Sequence, residues 1–339
     1  MMNIFGEHIK VTTFGESHSA AIGGVIEGFP AGVKVNENFI QSELDRRKPS
    51  DNKASTTRKE SDRIEILSGV FEGKTLGTPI AFIIRNENQQ SDDYESLREI
   101  YRPGHADFTY DKKYGHYDHR SGGRASARET AARVAAGAFA KTILQNNGIE
   151  ITATVKQIGT AQTPNEMERL IEQTKNEGDS LGGIVECVIE GCPVGIGEPI
   201  FGKLQAQLAE AMMSIPAAKG FEYGEGFCAA TMKGSEHNDC YIFDSCCHLE
   251  GTIKPATNHS GGILGGISTG QNIVFRVAFK PIASISKSQE TVDKQGTPIQ
   301  LINRGRHDVC CVPRAVPVVE AMAALVIADN LQKETCPTS

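Results

Sequence analysis

Long apolar runs are missing from this 339-residue sequence. No stretch approaches the roughly 18 unbroken apolar residues that span a bilayer, so no membrane partner is expected. Met1 to Thr13 lacks the charged-then-apolar layout of a secretory signal, and a cytoplasmic location is expected. Nine cysteines, an odd number, stand at 187, 192, 228, 240, 246, 247, 310, 311 and 336 without one C-x-x-C pair. Neither a zinc ribbon nor a thioredoxin-type centre is encoded, and free, mostly buried thiols in a reducing compartment are expected. Walker motifs and H-x-x-E-H-type metal spacing are absent too, so no metal site is expected, and Ser17 beside His18 does not stand in a G-x-S-x-G elbow. Tryptophan is absent, the net charge is −7 and the pI is 5.8, whereas a nucleic-acid site calls for interleaved aromatics and usually a basic pI.

What remains is ordinary for a globular chain: 39% hydrophobic and 23% charged residues, which excludes a disordered, collagen-like or coiled-coil protein. The 35 glycines and 14 prolines indicate many turns and short strands. No linker divides the sequence, but one segment is echoed. Ile26-Glu27-Gly28-Phe29-Pro30-Ala31-Gly32-Val33 returns as Ile189-Glu190-Gly191-Cys192-Pro193-Val194-Gly195-Ile196, each copy after a strand-like run that contains Gly-Gly. A helical pattern follows both copies, Asn36 to Arg47 and Pro199 to Met213, which predicts two similar halves within one fold. Ile273, Phe275, Val277 and Phe279 alternate with less apolar residues in a strand that Pro281 must stop. Thr163-x-x-Glu166 with Pro164 opens one helix, Ser126-x-x-Glu129 reads as a capping box before an Ala-rich helix from Thr130 to Leu144, and Pro317 is expected to open the last helix. Hairpin signals outnumber regular βαβ spacing, so the fold class is α+β with antiparallel sheets.

Cations gather locally despite the negative total. Arg46, Arg47, Lys48, Lys53, Arg58, Lys59 and Arg63 face only Asp51, Glu60 and Asp62 over residues 46 to 63. Arg102, Arg120, Arg124 and Arg128 form a second group, and Arg304, Arg306 and Arg314 a third, a pattern suited to small polyanions. Arg120-Ser121-Gly122-Gly123-Arg124-Ala125-Ser126 runs into a helix N-terminus, where amide groups, the helix dipole and arginines attract a phosphate or carboxylate. Gly261-Gly262-Ile263-Leu264-Gly265-Gly266 precedes a strand rather than a helix, so it is no Rossmann fingerprint; a tight hairpin and close approach to a planar ligand remain open. His18, His105 and Asp308 each stand in a turn-prone segment beside a glycine, where a strand end can aim a side chain into a cleft.

Taken together, Phe-Gly-Glu-Ser-His at 14 to 18, Arg-Pro-Gly-His-Ala-Asp at 102 to 107, Gly-Gly-Arg-Ala-Ser-Ala-Arg-Glu-Thr at 122 to 130, and Gly-Arg-His-Asp at 305 to 308 continuing to Arg314-Ala315-Val316-Pro317 closely resemble the signatures of the chorismate synthase family, in their usual order. The resemblance runs from Val11 to about Asp329. It implies one domain over residues 1–339, with an ordered core of about 4–332, built as a sandwich of helices and two antiparallel sheets with an internal pseudo-duplication, and commonly a homotetramer. The implied reaction is a 1,4-anti elimination of phosphate from 5-enolpyruvylshikimate 3-phosphate, giving chorismate for aromatic amino acid biosynthesis by the shikimate pathway. It implies reduced FMN as cofactor without net redox change, and an external flavin reductant.

By matching position, the family implies His18, His105 and Asp308 as catalytic residues. His18 would protonate reduced flavin or the departing phosphate, and His105 would keep flavin or leaving group correctly protonated. Asp308, its charge held by Arg306, would help take the proton that the flavin accepts from the substrate ring. Arg46, Arg47, Lys53 and Arg128 would meet the substrate, Arg47 and Lys53 also matching positions sometimes assigned to a nicotinamide nucleotide (NADP). The flavin would meet Arg124, Ala125, Ser126, Pro216, Ala217, Gly265, Lys280, Pro281, Ile282, Ala283, Ser284 and Arg306. Three departures stand out: Ser19 for a usual glycine, which must fit a Cβ into the turn; Pro216 for a usual asparagine, which removes an N–H and an amide; and Lys53 for a common arginine. A phosphate-ester hydrolase would need an activated nucleophile or a metal cluster, neither of which the sequence displays, and a non-enzymatic flavin-binding module would have no use for His18, His105 and Asp308.

Overall fold

The computed structural model describes residues 3–48, 60–87, 97–244, 252–302 and 308–335. The first half contains β1 (Ile4–Phe5), β2 (Lys10–Phe14), β3 (Ala21–Glu27), α1 (Glu37–Arg47), β4 (Ile64–Ile66), a small hairpin of β5 (Val70–Phe71) and β6 (Lys74–Thr75), β7 (Ile80–Arg85), α2 (Asp107–Tyr114) and α3 (Thr130–Asn146). The second contains β8 (Glu150–Ile158), α4 (Pro164–Asn176), β9 (Gly183–Glu190), α5 (Leu204–Met213), β10 (Ala218–Tyr223) and the short α6 (Gly234–His237). Hairpins β11–β12 (Tyr241–Asp244, Thr252–Pro255) and β13–β14 (Ile263–Leu264, Ile267–Ser268), strand β15 (Ile273–Phe279), hairpin β16–β17 (Gln289–Val292, Pro298–Leu301) and α7 (Val312–Thr335) complete it.

Two antiparallel sheets form the frame, with strand orders β1-β2-β3-β7-β4 and β8-β9-β15-β10 when the second is taken from its β8 edge, and the remaining strands pair as separate hairpins. Apart from the extra β1, the orders correspond strand for strand, and in both halves a helix follows the second shared strand and a long helix closes the half. The echo in the sequence therefore reflects a repeated topology. Its turn residues do the same work twice: Gly28 and Gly191 both sit at φ +73°, where a Cβ would lie 1.8 Å from the His8 carbonyl oxygen or 2.2 Å from that of Gly148. Only glycine satisfies both the positive φ and the close approach.

The helices lie between the sheets. α3 packs on β2, β3 and β7, α7 on β8 and β9, and α3 and α7 on each other, with α1 and α5 at their flanks. Alternate residues of β15 (Ile273, Phe275, Val277 and Phe279) are buried, as their spacing predicts, each contributing about 1.5–3 kcal/mol of transfer free energy. Nearly every residue of α7 from Val316 to Ala328 is buried, the pattern of a helix packed on all sides. At its crossing with α3, a Cβ on Gly137 would lie 2.3 Å from the Ala321 Cβ and 2.5 Å from its Cα, so the helices meet with no more than the Ala321 methyl between them. Glu320 is buried to 1% exposure where α7, α1, α3 and β8 meet. It accepts from Arg46 Nη1 and Nη2 (2.6 and 2.8 Å), Lys141 Nζ (2.6 Å) and the Ala153 amide (2.9 Å), while Glu43 pairs with the same two cations. Burial pushes the Glu320 carboxyl up, but Arg46 and Lys141 outweigh it and hold the group below its ordinary value.

Four local expectations are corrected. The last helix begins at Val312, and Pro317 lies inside it, just beyond the first turn, where a missing N–H costs a single helical bond. α5 begins at Leu204 rather than near Pro199. The Ser126–Glu129 box does not close: Ser126 Oγ accepts from the Arg128 amide at 3.4 Å, and the Glu129 carboxylate is drawn to Arg133 on the next turn. Among the described cysteines, Cys187, Cys192 and Cys310 are buried, but Cys228 and Cys240 are exposed; Cys246, Cys247 and Cys336 lie outside the described residues. No described helix is long and apolar enough to cross a membrane.

Candidate active site

The loop between β2 and β3 sets His18 beside the turn before α3. The Ser17 amide donates to the Gly123 carbonyl (3.3 Å), and the Arg124 fork reaches the Thr13 and Gly15 carbonyls (3.0 and 3.2 Å). This turn is irregular, with Ser121, Gly122 and Gly123 in succession at φ +51°, +85° and +53°. His18 is 5% exposed and lies near Asp118. Burial raises the Asp118 carboxyl, but hydrogen bonds from Arg120, together with His18, hold it below its ordinary range. Ser19 resolves its own departure: its hydroxyl donates to the Glu16 or Ala21 carbonyl (2.9 and 2.7 Å) and accepts from the Glu16 amide (3.1 Å), so the side chain staples the turn.

From this loop one continuous set of contacts leads to Asp308. Asn86, where β7 runs out, donates from its side chain to the Glu16 and Ser19 carbonyls and accepts from Arg128 Nε at 2.8 Å. Arg128 pairs with Asp62, which also receives Arg47 Nη1 at 3.2 Å. Arg314 donates from Nε to the Arg47 carbonyl (3.2 Å) and from Nη1 to Asp308 (2.5 Å). The partner of Asp308 among the described residues is thus Arg314; the expected Arg306 lies outside them, as does Lys53. Arg46, expected with the substrate, spends its fork on Glu320 and Glu43 in the helical core. Burial, reinforced by Arg314 and Arg128 against the pull of Asp62, lowers the proton affinity of Arg47 to about 9.

A second cluster lies at the far end of β15. Lys280, one residue past the strand, donates to the Gly104 carbonyl at 2.7 Å, and burial and Lys219 lower its pKa. His105 Nδ1 faces the Pro103 carbonyl at 3.1 Å and therefore carries the ring proton, leaving Nε2 to accept from the Ser284 hydroxyl at 3.0 Å. Burial and the charge of Arg102 lower its pKa to about 4, so the ring is neutral near pH 7. Pro216 and Ala217 adjoin this cluster through the Lys280 amide, which donates to the Ala217 carbonyl (3.0 Å). The Ala218 amide closes the turn on Ile215, with Ala217 at φ +69°; proline suits the first central position of such a turn, which accounts for Pro216. Cys311 joins the clusters: Asp308, Arg314 and Lys280 all act on its thiol, which burial pushes up to about 11.

Gly265 is not brought in. It sits at the tip of the β13–β14 hairpin, beside a cleft of about 570 Å³ lined by Phe221, Tyr223, Phe227 and His259. That cleft runs along the middle of β15, its Phe221 and Tyr223 pairing with Val277 and Phe275, and among the described residues no Lys280 contact reaches its lining. Sequence reasoning passed over Asp62 and Asn86, the two residues that join the arginines. Asp62 was visible only as an anion among seven cations, and Asn86 only as a polar residue ending the apolar run Ile80–Ile84.

Arginines and a paired carboxylate at the heads of two long helices, joined to a neutral histidine, make the kind of site an enzyme acting on a small polyanion would need. A model of the chorismate synthase family matches residues 9–332. Chorismate synthases of Bacteroides thetaiotaomicron and Azobacteroides pseudotrichonymphae are 52% and 53% identical to the chain, covering 97% of it and 97% and 98% of their own lengths. A solved structure titled "Crystal Structure of Chorismate Synthase" superposes with a TM-score of 0.75 at 33% identity, covering 97% of this chain and 93% of its own. The chain belongs to the chorismate synthase family.

Proposed function

We propose that this chain, as one domain, converts 5-enolpyruvylshikimate 3-phosphate to chorismate, the final step of the shikimate pathway. The carbon–oxygen bond to phosphate breaks, a ring C–H bond breaks, and a ring double bond forms, with no net oxidation. The observation that carries the reading is the unbroken set of contacts from the His18 loop through Asn86, Arg128, Asp62, Arg47 and Arg314 to Asp308, because it gathers cations for a substrate with one phosphate and two carboxylates.

Reduced FMN suits the second cluster together with the turn before α3. No heavy atom lies within 4 Å of where a Cβ on Gly122 would sit, and Lys280 is a half-buried cation whose like-charged neighbour Lys219 favours an incoming anion. Arg124, Ala125, Ser126, Pro216, Ala217 and Lys280 to Ser284 would hold the cofactor, while Gly265 of the same chain stands apart. The bound reduced flavin supplies electron density to an allylic system that side chains alone cannot activate. His105, held neutral with its Nε2 on the Ser284 hydroxyl, would keep the flavin or the leaving group correctly protonated through hydrogen bonding rather than by taking up a proton of its own. His18 stands as the proton donor to the leaving side, and Asp308, its charge held by Arg314, assists proton removal from the ring. Arg47 and Arg128 orient the substrate; the deep burial of Arg47 suits a small phosphate ester better than NADP. The enzyme works in the cytoplasm as a homotetramer and takes its reduced flavin from an external reductant.

Anaerobic incubation with 5-enolpyruvylshikimate 3-phosphate and reduced FMN is expected to release phosphate and chorismate in equal amounts while leaving the flavin reduced. Equal turnover with oxidised FMN, or with no flavin, would overturn the cofactor assignment. Steady chorismate formation in air from NADPH and FMN alone would overturn the external reductant.

A further inference from the structure

We propose that Asp62 is a positioning residue for the substrate: its one carboxylate, locked between Arg47 and Arg128, fixes how the two guanidinium groups face the substrate's anions and sets the net charge those anions meet. The proposal rests on the substrate reading of Arg47 and Arg128 above. Asp62 is 1% exposed, with Oδ2 on Arg47 and Oδ1 on Arg128. Its backbone sits at φ +47°, a region that side-chain-bearing residues rarely adopt, and Gln41 Nε2 holds its carbonyl at 3.2 Å. A counter-charge needed only for neutrality has no use for such a conformation; one needed to point between two fixed arms does.

The remaining contacts of the two arginines are to neutral groups. Arg47 gives Nε to Thr130 Oγ1 (2.9 Å) and Nη2 to the Ala127 carbonyl (2.7 Å), and Arg128 gives Nε to Asn86 and Nη2 to the Arg85 carbonyl (3.2 Å). Neighbouring carboxylates are engaged elsewhere, Glu129 with Arg133 and Asp308 with Arg314. Glu129 and Arg314 act on Arg47 from a distance with opposite signs, so the two buried cations share one directly bonded anion and keep a surplus of positive charge. A buried surplus of this kind is costly unless an anion arrives to balance it. Without Asp62 the guanidinium groups would repel and part; with a second carboxylate the attraction for substrate would vanish.

The test compares Asp62→Asn and Asp62→Glu with Arg47→Lys and Arg128→Lys. It uses anaerobic kinetics with reduced FMN, calorimetric titration with 5-enolpyruvylshikimate 3-phosphate, titration with FMN, and thermal melting by circular dichroism. Asp62→Asn is expected to raise the KM and Kd for the substrate roughly 10- to 100-fold while kcat and FMN affinity stay within about threefold, with Asp62→Glu intermediate. Unchanged substrate affinity in Asp62→Asn, or an equal loss of FMN and substrate affinity, overturns the role. Should the Asn variant fail to fold, Asp62→Glu decides: it keeps the charge on a longer arm, so a raised KM with a normal melt supports positioning and an unchanged KM refutes it. If the two lysine variants leave KM unchanged, the substrate reading of the arginines fails and takes the proposal with it. If they raise KM and Asp62→Asn does not, that reading stands and only the role of Asp62 is lost.

Discussion

In the first half of the chain β7 runs out into Asn86, and Arg128 and Thr130 stand at the head of α3; at the equivalent places in the second half β15 runs out into Lys280, and Asp308 and Arg314 stand at the head of α7. The first set is buried and built on side-chain ion pairs, with one carboxylate shared by Arg47 and Arg128, whereas Lys280 and His105 are half-buried and rest on carbonyl or hydroxyl groups. One topology, used twice, has put an ion-paired arginine cluster beyond one strand end and a lysine resting on a carbonyl group beyond the other. The positions that carry chemistry belong to the scaffold, the end of the third shared strand in chain pairing and the start of the closing helix, and the residues placed there decide the role.

The sharpest way to break this division is at the proton-handling groups. His18→Ala, His105→Ala and Asp308→Ala are each expected to lower kcat by about 10²–10⁴ while FMN and substrate affinities stay within a few-fold. Single-turnover kinetics with direct ligand titration separate the two; variants that lose affinity but keep turnover at saturation would move these residues into the anion-binding shell. A smaller, crossed effect is expected from the cations. Lys280→Ala should weaken FMN binding about 10- to 100-fold with little change in substrate KM, and Arg128→Ala should do the reverse. If either variant shifts both ligands equally, the two faces are one site and the comparison fails.

Acid should then distinguish the His105 cluster from the buried ion pairs by stability. The His105 pKa is lowered to about 4 in the fold from an ordinary 6.5, so the unfolded chain takes up a proton that the folded one refuses between those values. Its contribution is complete above pH 6.5 and is lost as pH falls toward 4, on the order of 1–3 kcal/mol. Asp62 and Glu320, held below their ordinary 3.8 and 4.5, stabilise the fold above those values and lose that contribution at lower pH. Urea titrations from pH 7 to 3 should show both losses in sequence, and His105→Gln should remove only the first. A first loss that survives in His105→Gln would assign it to another group.

Much of this arrangement was legible in the sequence because it is local. The alternation of Ile273 to Phe279, the Thr163–Glu166 box and the repeated turn at Gly28 and Gly191 each depend on a few neighbouring residues, and each formed as the pattern predicts. Among the described residues, most of the motif side chains also fell into the two joined clusters, apart from Arg46 and Gly265, while Lys53 and Arg306 lie outside the described residues. What stayed hidden was pairing over long range. Arg46 and Arg47 are adjacent on α1 and indistinguishable in the sequence, yet successive helix positions point about 100° apart, so one meets Glu320 in the core and the other Asp62 at the site. The Ser126 box failed for a related reason: Arg133, one turn on, offered Glu129 a full charge in place of a backbone amide.

The bare crossing of Gly137 on Ala321 fixes more than packing. α3 and α7 each present reactive groups at their heads, and where they touch there is no side chain whose rotation could let one slide or tilt against the other. The pair acts as a pinned scissor whose blades cannot open. Any closing of the site around its ligands must therefore be made by the loops, chiefly the stretch around His105 and the turn at Ser121 to Gly123, while the spacing between Arg128 and Arg314 is a dimension of the fold itself.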